Sequence, residues 1–152
     1  MSNLIRSASL TNYPEVARAA GLDPLVLLAG AGLSPACLHD PDLRIPSDAV
    51  RALFEASATA SGLDNFGLRM AETRQLSNLG AVALMAREEP TVRRFVRAMT
   101  RYSHVLNESL FLKLEESNGI AVLREEFLVR HHGSSRQATE LLVGVTFRSL
   151  KF

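Results

Sequence analysis

Residues 109–123 have the sequence SLFLKLEESNGIAVL, and this stretch decides the fold class. From Leu110 to Glu115, leucines alternate with other side chains, which is the two-residue period of a β-strand. Asn118-Gly119 is the dipeptide most typical of a tight hairpin turn. The stretch therefore predicts an antiparallel hairpin near residues 109–130.

The returning strand of this hairpin is expected at Ile120–Arg130. One face of it would carry the apolar side chains of Ala121, Leu123, Phe127 and Val129. Glu125 falls on the same face and interrupts it. A carboxylate in that position predicts a bulge or a shifted register in the strand.

Helical segments surround the hairpin in the sequence. Four short helices are expected first, because glycine, proline and capping residues mark their ends. They are predicted at Asn12–Gly21, Asp23–Gly30, Ser47–Gly62 and Asn65–Arg74. The small apolar residues between Leu79 and Ala86 then suggest a closely packed segment.

The longest helix is predicted from Pro90-Thr91 to Leu106. Its buried face follows helical spacing through Val92, Phe95, Val96, Met99, Tyr102 and Leu106. Another face carries a row of basic residues, called here the arginine stripe: Arg93, Arg97, Arg101 and His104.

A last helix is predicted at Gln137–Phe152, and it stays apolar up to its end. An isolated two-stranded hairpin is marginal in water. Both features favour a domain that continues beyond Phe152. The predicted fold class is α+β, predominantly helical with a small antiparallel sheet, and residues 1–152 are expected to be an incomplete domain.

Composition narrows the class of protein. The 152 residues are 47% hydrophobic and 22% charged with a net charge of +1, which fits one globular domain and offers no dense basic patch for nucleic acid. The single cysteine, Cys37, forms no internal disulfide and fits a reducing compartment. No run of about 18 apolar residues is present to span a membrane. We therefore expect a cytoplasmic protein.

Residues 16–25 have the helix–glycine–helix outline of a DNA-reading motif. The second helix, however, would present Leu25, Val26 and Leu27 to the major groove. Bases and phosphates are contacted by Arg, Lys, Asn or Gln, and none occurs between Asp23 and Gly32. A packed helical pair is favoured over DNA binding.

Catalytic and metal-binding motifs are not found in the sequence. It has no nucleophile elbow, phosphate loop or dinucleotide fingerprint. Cys37 with His39, and the adjacent His131 and His132, lack the second pair that a metal site requires. No cofactor, no metal and no enzyme activity is predicted.

The order and spacing of several segments resemble the arabinose-binding-like amino-terminal domain of AraC-type transcription regulators. They are Gly21-Leu22-Asp23-Pro24-Leu25, Leu43-Arg44-Ile45-Pro46, Asn65-Phe66-Gly67-Leu68-Arg69, Leu79-Gly80, Glu89-Pro90-Thr91-Val92-Arg93-Arg94 and Arg101-Tyr102. The strand Leu110–Leu114 follows in the expected place, so the resemblance covers nearly all of residues 10–150.

The resemblance implies that residues 1–152 sense a small-molecule effector and mediate homodimerisation. DNA would be bound only by a carboxy-terminal pair of helix-turn-helix units that this chain lacks. If the effector is an anion, the candidate contacts are Arg69, Arg101, Tyr102 and His104. Two alternatives stay open: a dimerisation module without a small-molecule ligand, and an enzyme with an unrecognised site. A helix with alternate arginines is also often simply solvated.

Overall fold

A computed structural model describes residues 3–128 and 133–151. Seven α-helices occur in these ranges: α1 (Tyr13–Ala19), α2 (Pro24–Gly30), α3 (Ser47–Ser61), α4 (Phe66–Glu72), α5 (Ala81–Arg87), α6 (Val92–Leu106) and α7 (Arg136–Ser149). Four strands form two antiparallel pairs: β1 (Leu4–Arg6) with β2 (Arg44–Pro46), and β3 (Leu110–Ser117) with β4 (Ile120–Phe127). The α+β class, mainly helical, is confirmed.

The amino-terminal helices begin and end where their local signals placed them. Asp23 accepts hydrogen bonds from the backbone N–H groups of Leu25 and Val26 and so caps α2. Gly62 ends α3 in the left-handed conformation, with φ of 70°. Each of these interactions joins residues that are close in the sequence, so capping patterns can predict them.

Helices α1, α3 and α4 meet around a buried aromatic cluster. The ring of Tyr13 lies 6.3 Å from that of Phe54 and 6.2 Å from that of Phe66. The phenol oxygen of Tyr13 lies 2.9 Å from the hydroxyl of Ser57, so its polar end is also satisfied. This cluster is the centre of the larger hydrophobic core.

The predicted hairpin is present, and its turn is the expected two-residue Asn-Gly turn. Asn118 and Gly119 have φ of 52° and 77°, as a type I′ turn requires. Pairing runs without interruption from Leu110↔Phe127 to Ser117↔Ile120. The expected bulge or register shift at Glu125 was therefore wrong. Val129 and Arg130, at the predicted end of the strand, lie outside the described residues, as do His131 and His132.

Glu125 stays on the inner face of the hairpin because α7 supplies a partner. The hydroxyl of Thr146 donates a hydrogen bond to the Glu125 carboxylate. Burial raises the pKa of Glu125 above its ordinary value, and the hydrogen bond from Thr146 opposes that shift. A half-buried carboxylate thus joins β4 to α7.

Residues 44–46 form an edge pair with the amino terminus that the sequence did not reveal. Ile5 lies opposite Ile45 in the β1–β2 ladder. Ile5 also bridges to Asn107, directly after α6. Three-residue strands are too short to show a periodic pattern, so only the long-range pairing defines them.

Helix α6 is capped by the Thr91 side chain, which accepts a hydrogen bond from the Arg94 backbone N–H. Phe95 and Val96 are buried as predicted. Val92, however, is 68% exposed, so its place in the buried face was wrong. It lies in the first turn of the helix, where the expected apolar contact is not made.

Helix α7 packs very closely on α4. A Cβ placed on Gly67 would lie 2.0 Å from the backbone oxygen of Gln137, and one on Gly144 would lie 2.5 Å from the Ala71 Cβ. The buried Gln137 side chain accepts from the Gly67 N–H at 2.7 Å and donates to the Asp64 carbonyl at 2.9 Å. Helix α7 covers most of the predicted Gln137–Phe152 segment, and Phe152 lies outside the described residues.

Gly67→Ala is expected to destabilise the domain by at least about 2–3 kcal/mol, because the new methyl group meets the backbone of α7. Thermal unfolding should show a Tm lower by roughly 5–10 °C. Gly30→Ala is the matched control, since nothing lies within 4 Å of its added Cβ. Its Tm should be unchanged or slightly raised. Equal effects of the two substitutions would contradict the close α4–α7 contact.

Glu125→Gln is expected to raise stability at neutral pH. The folded-state pKa of Glu125 lies above the ordinary value of 4.5, so the charged form is disfavoured by folding. Glu125 does not affect the free energy of unfolding at pH values below its unfolded-state pKa. Its contribution becomes unfavourable as the pH rises through its folded-state pKa. The Tm of the variant minus that of the parent should therefore grow with pH from 4 to 8. Glu126→Gln, on the exposed face, is the control and should show no such trend.

Candidate functional site

A cavity of about 190 Å³ lies between the amino-terminal segment, α3, α6, the β3–β4 hairpin and α7. Most of its wall is apolar. Helix α6 contributes four residues of the face predicted to be buried, without Val92 and Tyr102, and the hairpin contributes its inner face. The principal apolar side chains are Ile5, Val50, Phe54, Phe95, Val96, Met99, Leu106, Leu110, Leu112, Leu123, Phe127, Leu141, Leu142 and Val145.

The charged groups in this wall are all arginines. Over the described residues the wall contains no Asp, Glu, Lys or His side chain. Arg6 is neutralised by Asp42 at 2.6 Å. Arg51 has Asp48 at 3.9 Å and also donates to the Ser134 carbonyl at 2.9 Å.

Arg74 differs from the other two because its recorded partners are neutral. Its Nη1 donates to the Ala8 carbonyl at 2.5 Å, and its Nη2 donates to the Ser9 carbonyl. The residue is only 5% exposed. Desolvation by this burial lowers the pKa of Arg74 to about 10, so the guanidinium stays charged at neutral pH.

Unpartnered polar atoms concentrate at the cavity. Five buried side-chain atoms in the described part of the chain have no hydrogen-bond partner, and four of them belong to residues of the cavity wall. These four are Ser9 Oγ, Ser47 Oγ, Arg51 Nε and Arg74 Nε. Buried polar groups in folded proteins are ordinarily paired, so residues of the wall hold hydrogen-bonding capacity that the protein itself does not use.

A second, more polar cleft adjoins the cavity and shares Arg74 with it. It also holds Arg148 and Lys151, and we call it the cationic cleft. The Nε of Arg148 donates to the Arg74 carbonyl at 2.9 Å, which fixes the end of α7 beside Arg74. Arg74 therefore lies where an apolar space meets a positively charged one.

The four residues proposed from sequence lie elsewhere. Arg69 is exposed on α4, and its Nε donates to Asn65 at 3.3 Å. Arg101 and His104 are exposed on α6, and the Arg101 Cζ lies 5.6 Å from the centre of the half-buried Tyr102 ring. None of the four lines the cavity. Their role in binding stays a prediction.

The other half of the arginine stripe contacts the hairpin. Arg93 lies 2.6 Å and Arg97 lies 3.1 Å from the carboxylate of Glu116. The hydrogen bond from Arg93 holds the pKa of Glu116 below its ordinary value. These exposed pairs attach β3 to α6, so this part of the stripe has an internal carboxylate partner.

Sequence reasoning missed Arg74. It was placed at the end of the fourth predicted helix, and its neighbours in the chain gave no sign of burial. Its partners, the carbonyls of Ala8 and Ser9, are 66 and 65 residues away. Only a signal of long-range contact could have identified it.

Two features do not occur within residues 3–128 and 133–151. No helix there is long and apolar enough to cross a membrane. No group of three or more His, Cys, Asp or Glu residues there is arranged to hold a metal ion.

Comparison with known proteins gives a consistent family assignment. Residues 21–152 match the model of the arabinose-binding domain of AraC transcription regulators, amino-terminal part. The chain is also 30% identical over 133 residues to the HTH-type transcriptional regulator VirS of Mycobacterium tuberculosis, in strain CDC 1551 / Oshkosh and in strain ATCC 25618 / H37Rv.

These alignments cover 88% of this chain but only 39% of each VirS protein. The chain therefore spans well under half the length of these relatives. The family match extends over most of its residues and includes the segments that form α2 to α7. The chain belongs to the family of arabinose-binding amino-terminal domains of AraC transcription regulators.

Proposed function

We propose that this domain senses a small-molecule effector and thereby biases a DNA-binding domain elsewhere in a longer regulator. The observation that carries the proposal is the apolar cavity with spare polar groups in its wall. Ligand sites in proteins are commonly concave, mostly apolar and supplied with a few polar groups that orient the ligand. The name of the relatives, HTH-type transcriptional regulator, supports the regulatory part of the proposal.

The position of the cavity suggests how binding could be transmitted. Its wall combines α3, α7 and the amino-terminal segment with α6 and the hairpin. A ligand shifts an equilibrium only if its affinity differs between two arrangements of the protein. A molecule that contacts both groups of elements would favour the arrangement in which they are close together. We propose this closure as the signal, and a cytoplasmic location remains a prediction.

The surface residues Arg69, Arg101, Tyr102 and His104 define a competing place for an anionic effector. The cavity is favoured over them for a physical reason. Exposed ion pairs contribute little because water screens them, whereas a buried contact is desolvated. The cavity offers both apolar burial and a buried charge, while Arg101 offers exposed charge alone.

Ser103→Leu tests the cavity against the surface site, because Ser103 is buried in the cavity wall. A ligand found in a thermal-shift screen should raise the parent Tm by roughly 5–10 °C at about 100 times its Kd. The substitution should remove most of that rise while the variant stays folded by circular dichroism.

Arg101→Ala is the matched variant on the same helix. It should leave the ligand-induced shift unchanged if the cavity binds the effector. Loss of the shift in Arg101→Ala, with Ser103→Leu unaffected, would move the effector to the surface site. A screen without a single stabilising ligand would favour the dimerisation module instead.

We infer that dimerisation is the second function, and one surface feature favours it. Leu84 on α5 and Val92 at the start of α6 are each 68% exposed. Helices α5 and α6 pack on each other, so these side chains belong to one helical pair. Contiguous exposed apolar patches are typical of protein interfaces, and we propose that Leu84 and Val92 belong to one.

Leu84→Glu is expected to weaken self-association at least about tenfold, because a buried unpaired charge is costly at an interface. Sedimentation equilibrium of parent and variant measures the dimer Kd. Val26→Glu is the control, since Val26 is 67% exposed on α2. The inference fails if the parent is a monomer at all concentrations, or if both variants weaken the dimer equally.

A further inference from the structure

We propose that the cavity binds a small apolar carboxylic acid in its anionic form, with the carboxylate on Arg74 and the hydrocarbon body among α6, α7 and the hairpin. This inference rests on the proposed sensing function and adds the chemical class of the effector. It stands on charge, hydrogen-bonding capacity and size, each taken from the geometry around Arg74.

The charge of the cavity wall selects for an anion. Its three arginines are the charged side chains present, and two of them already have carboxylate partners. Arg74 is held by two neutral carbonyl oxygens instead. Burying a cation without an opposite charge is costly, and a bound anion would offset that cost.

The unused donors of Arg74 fit a carboxylate in particular. A guanidinium group has five N–H donors, and the carbonyls of Ala8 and Ser9 each accept from one of its terminal nitrogens. Nε has no partner and lies beside the terminal nitrogens in the planar fork. Two parallel N–H donors of that fork match the two oxygens of a carboxylate.

Hydroxyl groups next to this fork could complete the site. Ser9, whose carbonyl holds Arg74, also has an unpartnered hydroxyl oxygen in the cavity wall. Ser47 presents a second one. Hydroxyl donors on the same wall as the guanidinium provide additional contacts for an anionic head group.

Size limits the hydrocarbon part. An engineered apolar cavity of about 150 Å³ is known to accommodate benzene. A space of about 190 Å³ with a mostly apolar wall therefore suits a single ring or a chain of roughly six to eight carbons. An inorganic anion would leave this apolar wall unfilled.

The cationic cleft provides a route for such a ligand. Arg148 and Lys151 lie in that cleft beside Arg74. No carboxylate partner is recorded for either side chain within residues 3–128 and 133–151. Exposed positive charge near a cavity raises the local concentration of anions and speeds their association.

Three probes with the same eight-carbon chain test the inference: octanoate, octanamide and octylammonium. Acetate is the fourth probe, with the charge but little of the hydrocarbon. Calorimetric titration of the 152-residue chain should show octanoate binding at least about tenfold more tightly than octanamide, since one charge-assisted bidentate contact is involved. Octylammonium and acetate should bind weakly or not at all.

Arg74→Gln should lower octanoate affinity at least about tenfold and leave octanamide affinity nearly unchanged, because only the anion uses the charge. Arg97→Gln is the matched control, since Arg97 lies outside the cavity and pairs with Glu116. It should preserve the preference for octanoate. If Arg74→Gln does not fold, the octanoate-to-octanamide ratio of the parent decides the question alone.

Equal binding of octanoate and octanamide would overturn the carboxylate assignment and keep the sensing cavity, provided that Ser103→Leu removes both. Binding of acetate as tight as octanoate would overturn it too, because an anion site without an apolar requirement is then present. Binding of octanamide or octylammonium but not octanoate would reject it while still supporting a ligand-binding domain. If octanoate does not bind at millimolar concentration, the carboxylic-acid proposal is rejected. A broader ligand screen then tests the sensing function separately.

Discussion

The close contact between α4 and α7 is the constraint on which the other features depend. Gly67 and Gly144 lie on opposite sides of this contact, and neither position has room for a Cβ. Gln137 strengthens it, because one buried amide group bonds both the Gly67 N–H and the Asp64 carbonyl, while its backbone N–H donates to Glu55. Since these groups are buried, separating the helices would expose apolar surface and leave several polar groups unpaired.

This contact fixes one wall of the cavity. With α7 held against α4 and α3, its adjoining face contributes Leu142 and Val145 to the cavity wall. The hairpin is attached at other points, through Thr146 to Glu125 and through Glu116 to the arginines of α6. The cavity is therefore bounded by one tightly packed part, α3, α4 and α7, and by α6 and the hairpin, which share a smaller apolar cluster. A ligand that touches both has a physical means of changing their separation.

The sequence predicted the features that depend on neighbouring residues. The helix ends and the hairpin turn were predicted because they depend on contacts between residues a few positions apart. Examples are the caps at Asp23 and Gly62 and the turn at Asn118-Gly119. The β1–β2 pair and the environment of Arg74 depend on contacts across some 40 to 70 positions, and no local pattern reports them. The absence of the expected bulge at Glu125 has the same origin, because the partner of this carboxylate, Thr146, belongs to a distant helix.

The energetics of Arg74 connect stability with binding. A well-packed apolar side chain at a buried position is often at least as stabilising as a buried ion pair. The buried guanidinium of Arg74 contacts two backbone carbonyls and no carboxylate. The isolated domain thus carries an unfavourable desolvation that a carboxylate ligand would partly relieve. Such a ligand gains its affinity from a charge that is already dehydrated and held in position, so little reorganisation opposes binding. A neutral molecule of the same shape gains only the burial of its hydrocarbon.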